Sequence, residues 1–356
     1  MKILTIIGAR PQFIKAAAVS REIAKHPDVT EVIVHTGQHF DKNMSDIFFA
    51  EMQIPKPQYF LNINGLNHGA MTGQMMEKLE PVLLDEKPDR VLVYGDTNTT
   101  LAGALTARKL HFSIAHIEAG LRSFNMKMPE EINRILTDRI SDVLFCPTDT
   151  AVKNLAREGV DHWGCKVVKC GDVMYDAALF YRNLARKPAF DVPENFILAT
   201  VHRAENTDNE QNLKNIFQAF AEISHTTTII LPLHPRTKKI LSGCQWFDTL
   251  DIRNIFITEP IGYLEIIYLL ERCSIVMTDS GGMQKEAYFF KKPCITLRDE
   301  TEWVELVEAG VNNVTGTDHA CIIQTAISYL ACNFNFPAYL YGEGNAAIFI
   351  MDYLFK

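Results

Sequence analysis

The chain has 356 residues, 47% of them hydrophobic, and a formal net charge of -8 at pH 7 from 35 basic and 43 acidic side chains. This is an ordinary globular composition at a length beyond what one hydrophobic core usually holds, so two domains of about 150 to 200 residues each are expected. The acidic balance excludes a nucleic-acid footprint, which needs clustered Lys and Arg, so an anionic ligand has to meet local basic residues.

The opening MKILTIIGARP carries one lysine and a short apolar run cut by Gly8 and Pro11. It is too brief for a signal or membrane segment, which points to a cytosolic protein without a membrane partner. Strand-length apolar runs then alternate with helix-length amphipathic segments: KILTIIG, FIKAAAVSREIAKH and EVIVHTG, later VLVYGD, LAGALTARKL and SIAHIEAG. That rhythm predicts a parallel, doubly wound α/β sheet. It restarts near residue 195 with FILATVH, NLKNIFQAFAEIS, TIILPLHP, NIFITEP, YLEIIYLLERC, SIVMTDS, QKEAYFF and PCITLR. The stretch 165–195 between the two series, ending in RKPAFDVPEN, reads as a connector. Cysteines 146, 165, 170, 244, 273, 294, 321 and 332 form no C-x-x-C pair, so reduced, mostly buried thiols are expected rather than a zinc site or disulfide framework. Neither G-x-G-x-x-G after the first strand nor a Walker A sequence occurs, so neither a bound dinucleotide nor an ATP-driven step is indicated.

In open α/β sheets ligands sit beyond the carboxyl ends of the strands, and there the sequence is unusually polar. After KILTII come Gly8, Ala9, Arg10, Pro11, Gln12, Phe13, Ile14 and Lys15. Pro11 suits a first helical position, and Arg10 and Lys15 flank an anion-attracting helix start. A plain turn with solvated basic residues would look the same. VLVY is followed by Gly95 and Asp96, SIAHI by Glu118, and PEEINR supplies Glu130 and Glu131. Asp96 could merely cap the next helix, and Glu130 merely offset a helix dipole. FILATV ends in His202 and Arg203, and TIILPL is followed by His234 and Arg236. One histidine is more often a packing residue, but two at separate strand tips, each near an arginine, point to an anion site.

SIVMTD is followed by Ser280, Gly281 and Gly282 at the start of a helix. Paired glycines let a backbone approach a ligand, and the helix start offers unpaired N–H groups and the positive end of a dipole, so a phosphate is expected. Glu286 follows about one and a half turns on, placed to accept hydrogen bonds from ribose hydroxyls, which would make the ligand a nucleotide. The plainer alternative is a serine-capped helix with glycines for packing.

Taken in order, GARPQFIK, YGDTNTT, HIEAGLR, PEEINR, HRAEN, DSGGMQKEA, LRDETE and GEGN resemble the non-hydrolysing UDP-N-acetylglucosamine 2-epimerases over nearly the whole chain. The resemblance implies an α/β fold of GT-B type, two Rossmann-like doubly wound parallel-sheet domains facing across a cleft. Residues 1–170, completed by a C-terminal helix within 340–356, would form one domain, and residues 171–339 the UDP-binding other. The implied reaction inverts carbon 2 of a UDP-linked acetamido sugar with no cofactor, neither NAD nor metal, and the implied assembly is a homodimer. Asp96, Glu118 and Glu130 match the family's acid/base carboxylates, and His202 its histidine near the leaving diphosphate. Arg10 and Lys15 would bind substrate from the first domain, while Ser280, Gly281, Gly282 and Glu286 would hold UDP. Which carboxylate serves which face is left open.

The chain departs from the family's commoner GTRPEAIK at Ala9, Gln12 and Phe13, and from HRREN at Ala204. Trp303 stands where an arginine usually contacts substrate. These departures resemble the branch that converts UDP-2,3-diacetamido-2,3-dideoxyglucuronate to the mannuronate epimer for bacterial surface polysaccharide, with UDP-N-acetylglucosamine the alternative substrate. Ala204 also argues against allosteric activation by a second UDP-N-acetylglucosamine. A GT-B glycosyltransferase would need an acceptor site and usually one base, and a non-catalytic sugar-nucleotide sensor would not need Asp96 and Glu118 together. Three carboxylates at strand ends favour the epimerase.

Overall fold

The computed structural model describes residues 1–38, Phe49, Gln53 and 56–355, except the side chain of Arg10. The chain divides into two compact units, Met1–Leu179 with Tyr339–Lys356, and Phe180–Ala338.

In the first unit the strands are β1 (Lys2–Ile7), β2 (Thr30–His35), β3 (Tyr59–Phe60), β4 (Arg90–Tyr94), β5 (Ile114–Ile117), β6 (Val143–Cys146) and β7 (Lys166–Lys169). They form a sheet in the order β3-β2-β1-β4-β5-β6-β7, every neighbouring pair parallel. Ile3, Leu4, Ile6, Val91, Leu92 and Val93 are wholly buried, as expected of strands covered by helices on both faces. The covering helices are α1 (Arg10–Ile23), α2 (His68–Glu86), α3 (Asn98–Lys109), α4 (Pro129–Ile140), α5 (Asp149–Arg157) and α6 (Val173–Arg182), the last crossing from the first unit into the second. The chain builds outward from β1 to β3, then returns to the other side of β1 with β4. The β1–β4 border is therefore a topological switch point, where connections to opposite faces leave a crevice.

The second unit repeats the plan with β8 (Phe196–Thr200), β9 (Thr228–Pro232), β10 (Ile255–Thr258), β11 (Ile275–Thr278), β12 (Cys294–Thr296) and β13 (Asn312–Val314). Their order is β10-β9-β8-β11-β12-β13, again parallel, with the switch point between β8 and β11. Its helices are α7 (Ala204–Thr207), α8 (Glu210–Ser224), α9 (Pro235–Leu241), α10 (Tyr263–Arg272), α11 (Gly281–Phe289), α12 (Val304–Glu308) and α13 (His319–Ala331).

The final helix, α14 (Ala346–Leu354), belongs to the first unit and packs on α1. Its buried stripe is Ala346, Ala347, Ile350, Met351 and Leu354, and the Tyr353 ring meets Phe145 edge-on at 5.7 Å. Asp176 on α6 accepts the Ala346 and Ala347 amides at 3.1 and 2.8 Å, closing the helix start. Burial raises the Asp176 carboxyl to about 6, against the pull of those two amides.

Two expectations need correction. The stretch 165–195 is not all connector, since it contains β7 and α6; its longest run without helix or strand is 183–195. KVVK escapes a hydrophobic scan because it is an edge strand, with two apolar residues between exposed lysines. Pro11 is the second helical residue rather than the first, which is Arg10. Four of the eight thiols (Cys146, Cys170, Cys273, Cys294) are buried, and all eight are unpaired. Among the described residues no helix is long and apolar enough to cross a membrane.

Candidate active site

At the first switch point Gln12 ties two turns together. Its Oε1 accepts from the Gly8 and Ala9 amides at 2.9 and 3.0 Å, and its Nε2 donates to the Tyr94 carbonyl at 2.9 Å and Thr100 Oγ1 at 3.0 Å. Both donors and both acceptor positions of the amide are used, which a glutamate could not reproduce. The turn after β1 is thereby fixed against the turn after β4.

One helical turn beyond Gln12, the buried Lys15 ammonium pairs with the buried Glu118 carboxylate. Glu118 has φ 75°, a left-handed conformation costly for a residue with a side chain, and its amide donates to the Phe145 carbonyl at 3.1 Å. The pair lies against Gly95. A Cβ at Gly95, whose φ is 64°, would stand 2.9 Å from Lys15 Nζ and 3.2 Å from Glu118 Oε2, so any side chain there would be strained and would crowd the pair.

Next along the chain, Asp96 Oδ2 accepts from Arg134 Nη2 at 2.7 Å and Nε at 3.0 Å, and its carbonyl accepts from Asn133 at 2.8 Å. Arg134 Nη1 also donates to Glu131 at 2.8 Å, so one buried guanidinium serves two carboxylates. Burial alone would raise the Glu131 carboxyl, but the Ser123 amide, Arg134 and the Phe124 amide outweigh it and hold it below the ordinary range. Asp96 is not a helix cap, a role that Thr97 fills for α3. Glu130 is half-buried in the first turn of α4 and has no hydrogen bond or ion pair among the described residues. Lys15 and Glu118 thus meet against Gly95, the residue before Asp96. The Arg10 side chain lies outside the described residues.

At the second switch point the organising residue is Asp279, wholly buried just past β11. Its carboxylate accepts the His202 amide at 2.9 Å, the Arg203 amide at 2.9 Å and Asn206 Nδ2 at 3.1 Å, while Asn206 also donates to the Leu297 carbonyl at 2.9 Å. One carboxylate therefore fixes the chain after β8, and through Asn206 the chain after β12. His202 is half-buried, its ring centroid 6.0 Å from that of His234. Ser280 caps α11, its side chain accepting from the Met283 amide at 3.5 Å. The two glycines differ. A Cβ at Gly281 would collide with the Glu302 carboxylate, whereas one at Gly282 would meet nothing nearer than Ser280 Oγ at 3.9 Å. A side chain at the first would displace the Glu302 carboxylate, and the second leaves its side of the helix start open. Glu286 is buried in α11.

A sequence model described as UDP-N-acetylglucosamine 2-epimerase matches residues 21–355. The chain belongs to this epimerase family. It is 55% identical over 359 residues to the UDP-2,3-diacetamido-2,3-dideoxy-D-glucuronate 2-epimerase of Pseudomonas aeruginosa, with 100% of each chain covered. A UDP-N-acetylglucosamine 2-epimerase homolog of Methanococcus maripaludis is 50% identical over 362 residues, with 99% of each covered. The crystal structure of Methanocaldococcus jannaschii UDP-GlcNAc 2-epimerase, in complex with UDP-GlcNAc and UDP, matches with a TM-score of 0.92 at 44% identity, covering 100% of this chain and 99% of that one. The architecture of two parallel sheets with flanking helices is accordingly of GT-B type.

Within this epimerase family the chain's departures have structural roles. Gln12 is the four-bond tie described above. Trp303 is buried with the Lys285 ammonium 4.2 Å from its ring centroid, so the position expected to carry arginine instead covers a cation with an aromatic face. Ala204 opens the short α7 and is exposed. The sequence reading missed Gln12 as a tie, Arg134 as the partner of Asp96, and Asp279. The Asp in DSGG was the one available signal, a carboxylate at the end of an apolar strand.

Proposed function

We propose that this epimerase inverts carbon 2 of UDP-2,3-diacetamido-2,3-dideoxyglucuronate to give the mannuronate epimer. The observation that carries the reading is the placement of Asp96 and Glu118 beside Gly95, each tied to a buried cation. A carbon 2 proton of a sugar is not acidic in the ground state. As the anomeric C–O bond lengthens, positive character at carbon 1 acidifies it, and a carboxylate takes the proton. The C–H electron pair becomes the C1–C2 double bond, the C–O pair leaves with UDP, and a 2-acetamidoglycal remains. Protonation of carbon 2 from the opposite face, with return of the diphosphate oxygen to carbon 1, completes inversion with no net redox change.

Asp96, Glu118 and Glu130 supply the acid/base groups in this reading, and fixed charges in a low-dielectric site stabilise the developing cation. Ser280 and the amides at Gly281 and Gly282 receive the diphosphate, His202 lies near it, Glu286 takes the ribose hydroxyls, and Arg10 and Lys15 complete substrate binding. The identity of 55% to the Pseudomonas aeruginosa enzyme and Trp303 in place of arginine favour the diacetamido uronate. UDP-N-acetylglucosamine is the second reading, favoured by the TM-score of 0.92 to the Methanocaldococcus jannaschii complex. We place the enzyme in the cytosol as a homodimer.

Proton NMR of the purified protein with each UDP-sugar alone in heavy water tests the proposal. The expected result is loss of the carbon 2 proton signal and appearance of the epimer without an acceptor, faster for the diacetamido uronate. Release of UDP with the carbon 2 proton retained would mean transfer or hydrolysis. An unchanged spectrum for both sugars would leave only a binding protein.

A further inference from the structure

His116 lies in β5, wholly buried, two residues before Glu118. Its Nε2 is 2.7 Å from the carbonyl of Gly95, the residue before Asp96, and its Nδ1 is 2.7 Å from Asp138 Oδ1 on α4. The other oxygen of Asp138 accepts the Gly120 amide at 3.1 Å and Arg122 Nη1 at 2.7 Å. Arg122 in turn forms a two-pronged pair with Glu158 at 2.7 and 2.9 Å. Burial alone would raise the Asp138 carboxyl, but the hydrogen bond and charge of His116 and those of Arg122 outweigh it and hold it below the ordinary range. The Gly95 carbonyl can only accept, so Nε2 donates to it, and Nδ1 shares its hydrogen bond with Asp138 Oδ1.

The wiring has one centre and two ends. Through His116, Asp138 holds the peptide that leads into Asp96; through the Gly120 amide it holds the turn that leads out of Glu118. The Gly95 peptide so held is the one against which the Lys15–Glu118 pair packs. Neither His116 nor Asp138 is exposed, so neither can touch a sugar.

We infer that the buried Asp138–His116 pair is a positioning device that sets the separation of the Asp96 and Glu118 carboxylates. The inference rests on the reading of those two as the acid/base groups. A displacement of about 1 Å in a reacting group can cost about 100-fold in rate without weakening ground-state binding. The pair thus acts on kcat and not on substrate affinity.

The test uses the full-length enzyme with His116→Gln and Asp138→Asn. Gln cannot span the ring's two contacts at once, and Asn removes the carboxylate charge that faces Arg122 and the ring. Each variant is expected to lower kcat and deuterium uptake at carbon 2 together by about 10- to 100-fold, while KM and the affinity for UDP stay within about twofold. Asp96→Asn and Glu118→Gln are measured alongside. If those two lose turnover while His116→Gln and Asp138→Asn keep wild-type kcat, only the positioning inference falls; if those two retain wild-type turnover, the acid/base reading itself falls. A rise in KM at unchanged kcat overturns the inference, and so does failure of both pair variants to fold, which would make the pair a folding determinant.

Discussion

The two strand-end clusters are built from opposite materials. In the first unit, charged side chains hold other charged side chains: Lys15 pairs with Glu118, and Arg134 joins Asp96 to Glu131. In the second, one buried carboxylate, Asp279, holds main-chain amides, and a serine caps a helix whose first turn carries two glycines. Proton transfer needs ionisable groups in fixed places, whereas a diphosphate is met by fixed N–H groups and a helix dipole. The contrast teaches that the same sheet topology, used twice, presents side chains in one copy and backbone in the other.

The contrast breaks most directly at the first cluster. Asp96→Asn and Glu118→Gln should each lower kcat by about 100- to 10,000-fold while leaving the UDP dissociation constant unchanged. Turnover near that of wild type in either would remove the chemical half of the comparison. Gly281→Ala should act the other way. Its new methyl meets the Glu302 carboxylate, so the start of α11 shifts and UDP affinity falls by about 10- to 100-fold in a calorimetric titration. A loss in kcat with UDP binding intact would erase the distinction between the clusters. Glu286→Ala should weaken UDP binding by about tenfold, the size of one charged hydrogen bond, and an unchanged affinity would remove the ribose contact.

The smallest effect lies outside both clusters. Burial raises the Asp176 carboxyl from 3.8 to about 6, so the folded state favours its protonated form more than the unfolded chain does. Stability contributed by that preference is full below pH 3.8 and is lost as pH rises to about 6. Urea unfolding of the wild type and Asp176→Asn should therefore show the wild type losing ground relative to the variant across that window, with a constant difference above pH 7. A difference independent of pH would show that Asp176 titrates alike in both states.

Much of the fold was legible because β1, β2, β4, β5 and most second-unit strands are short, mostly apolar runs ending in polar turns. The two-residue β3, the lysine-flanked β7 and the polar NNV of β13 were not, since pairing with a neighbour, and not composition, makes them strands. The candidate residues Asp96 and Glu118 could be found from their places at strand ends. Their partners could not. Arg134 reaches Asp96 from 38 residues away, and His116 reads as one more residue in a strand until Gly95 and Asp138 stand on either side of it. Gln12 could be noticed as a departure, but two of its four hydrogen bonds depend on a carbonyl and a hydroxyl more than eighty residues further along the chain.

Helix α14 covers the side of α1, and α1 carries both Gln12 and Lys15. The second unit lies in the chain wholly between α1 and α14. On a growing chain the first unit therefore cannot finish packing until the second has been made, and the second can complete its own sheet first.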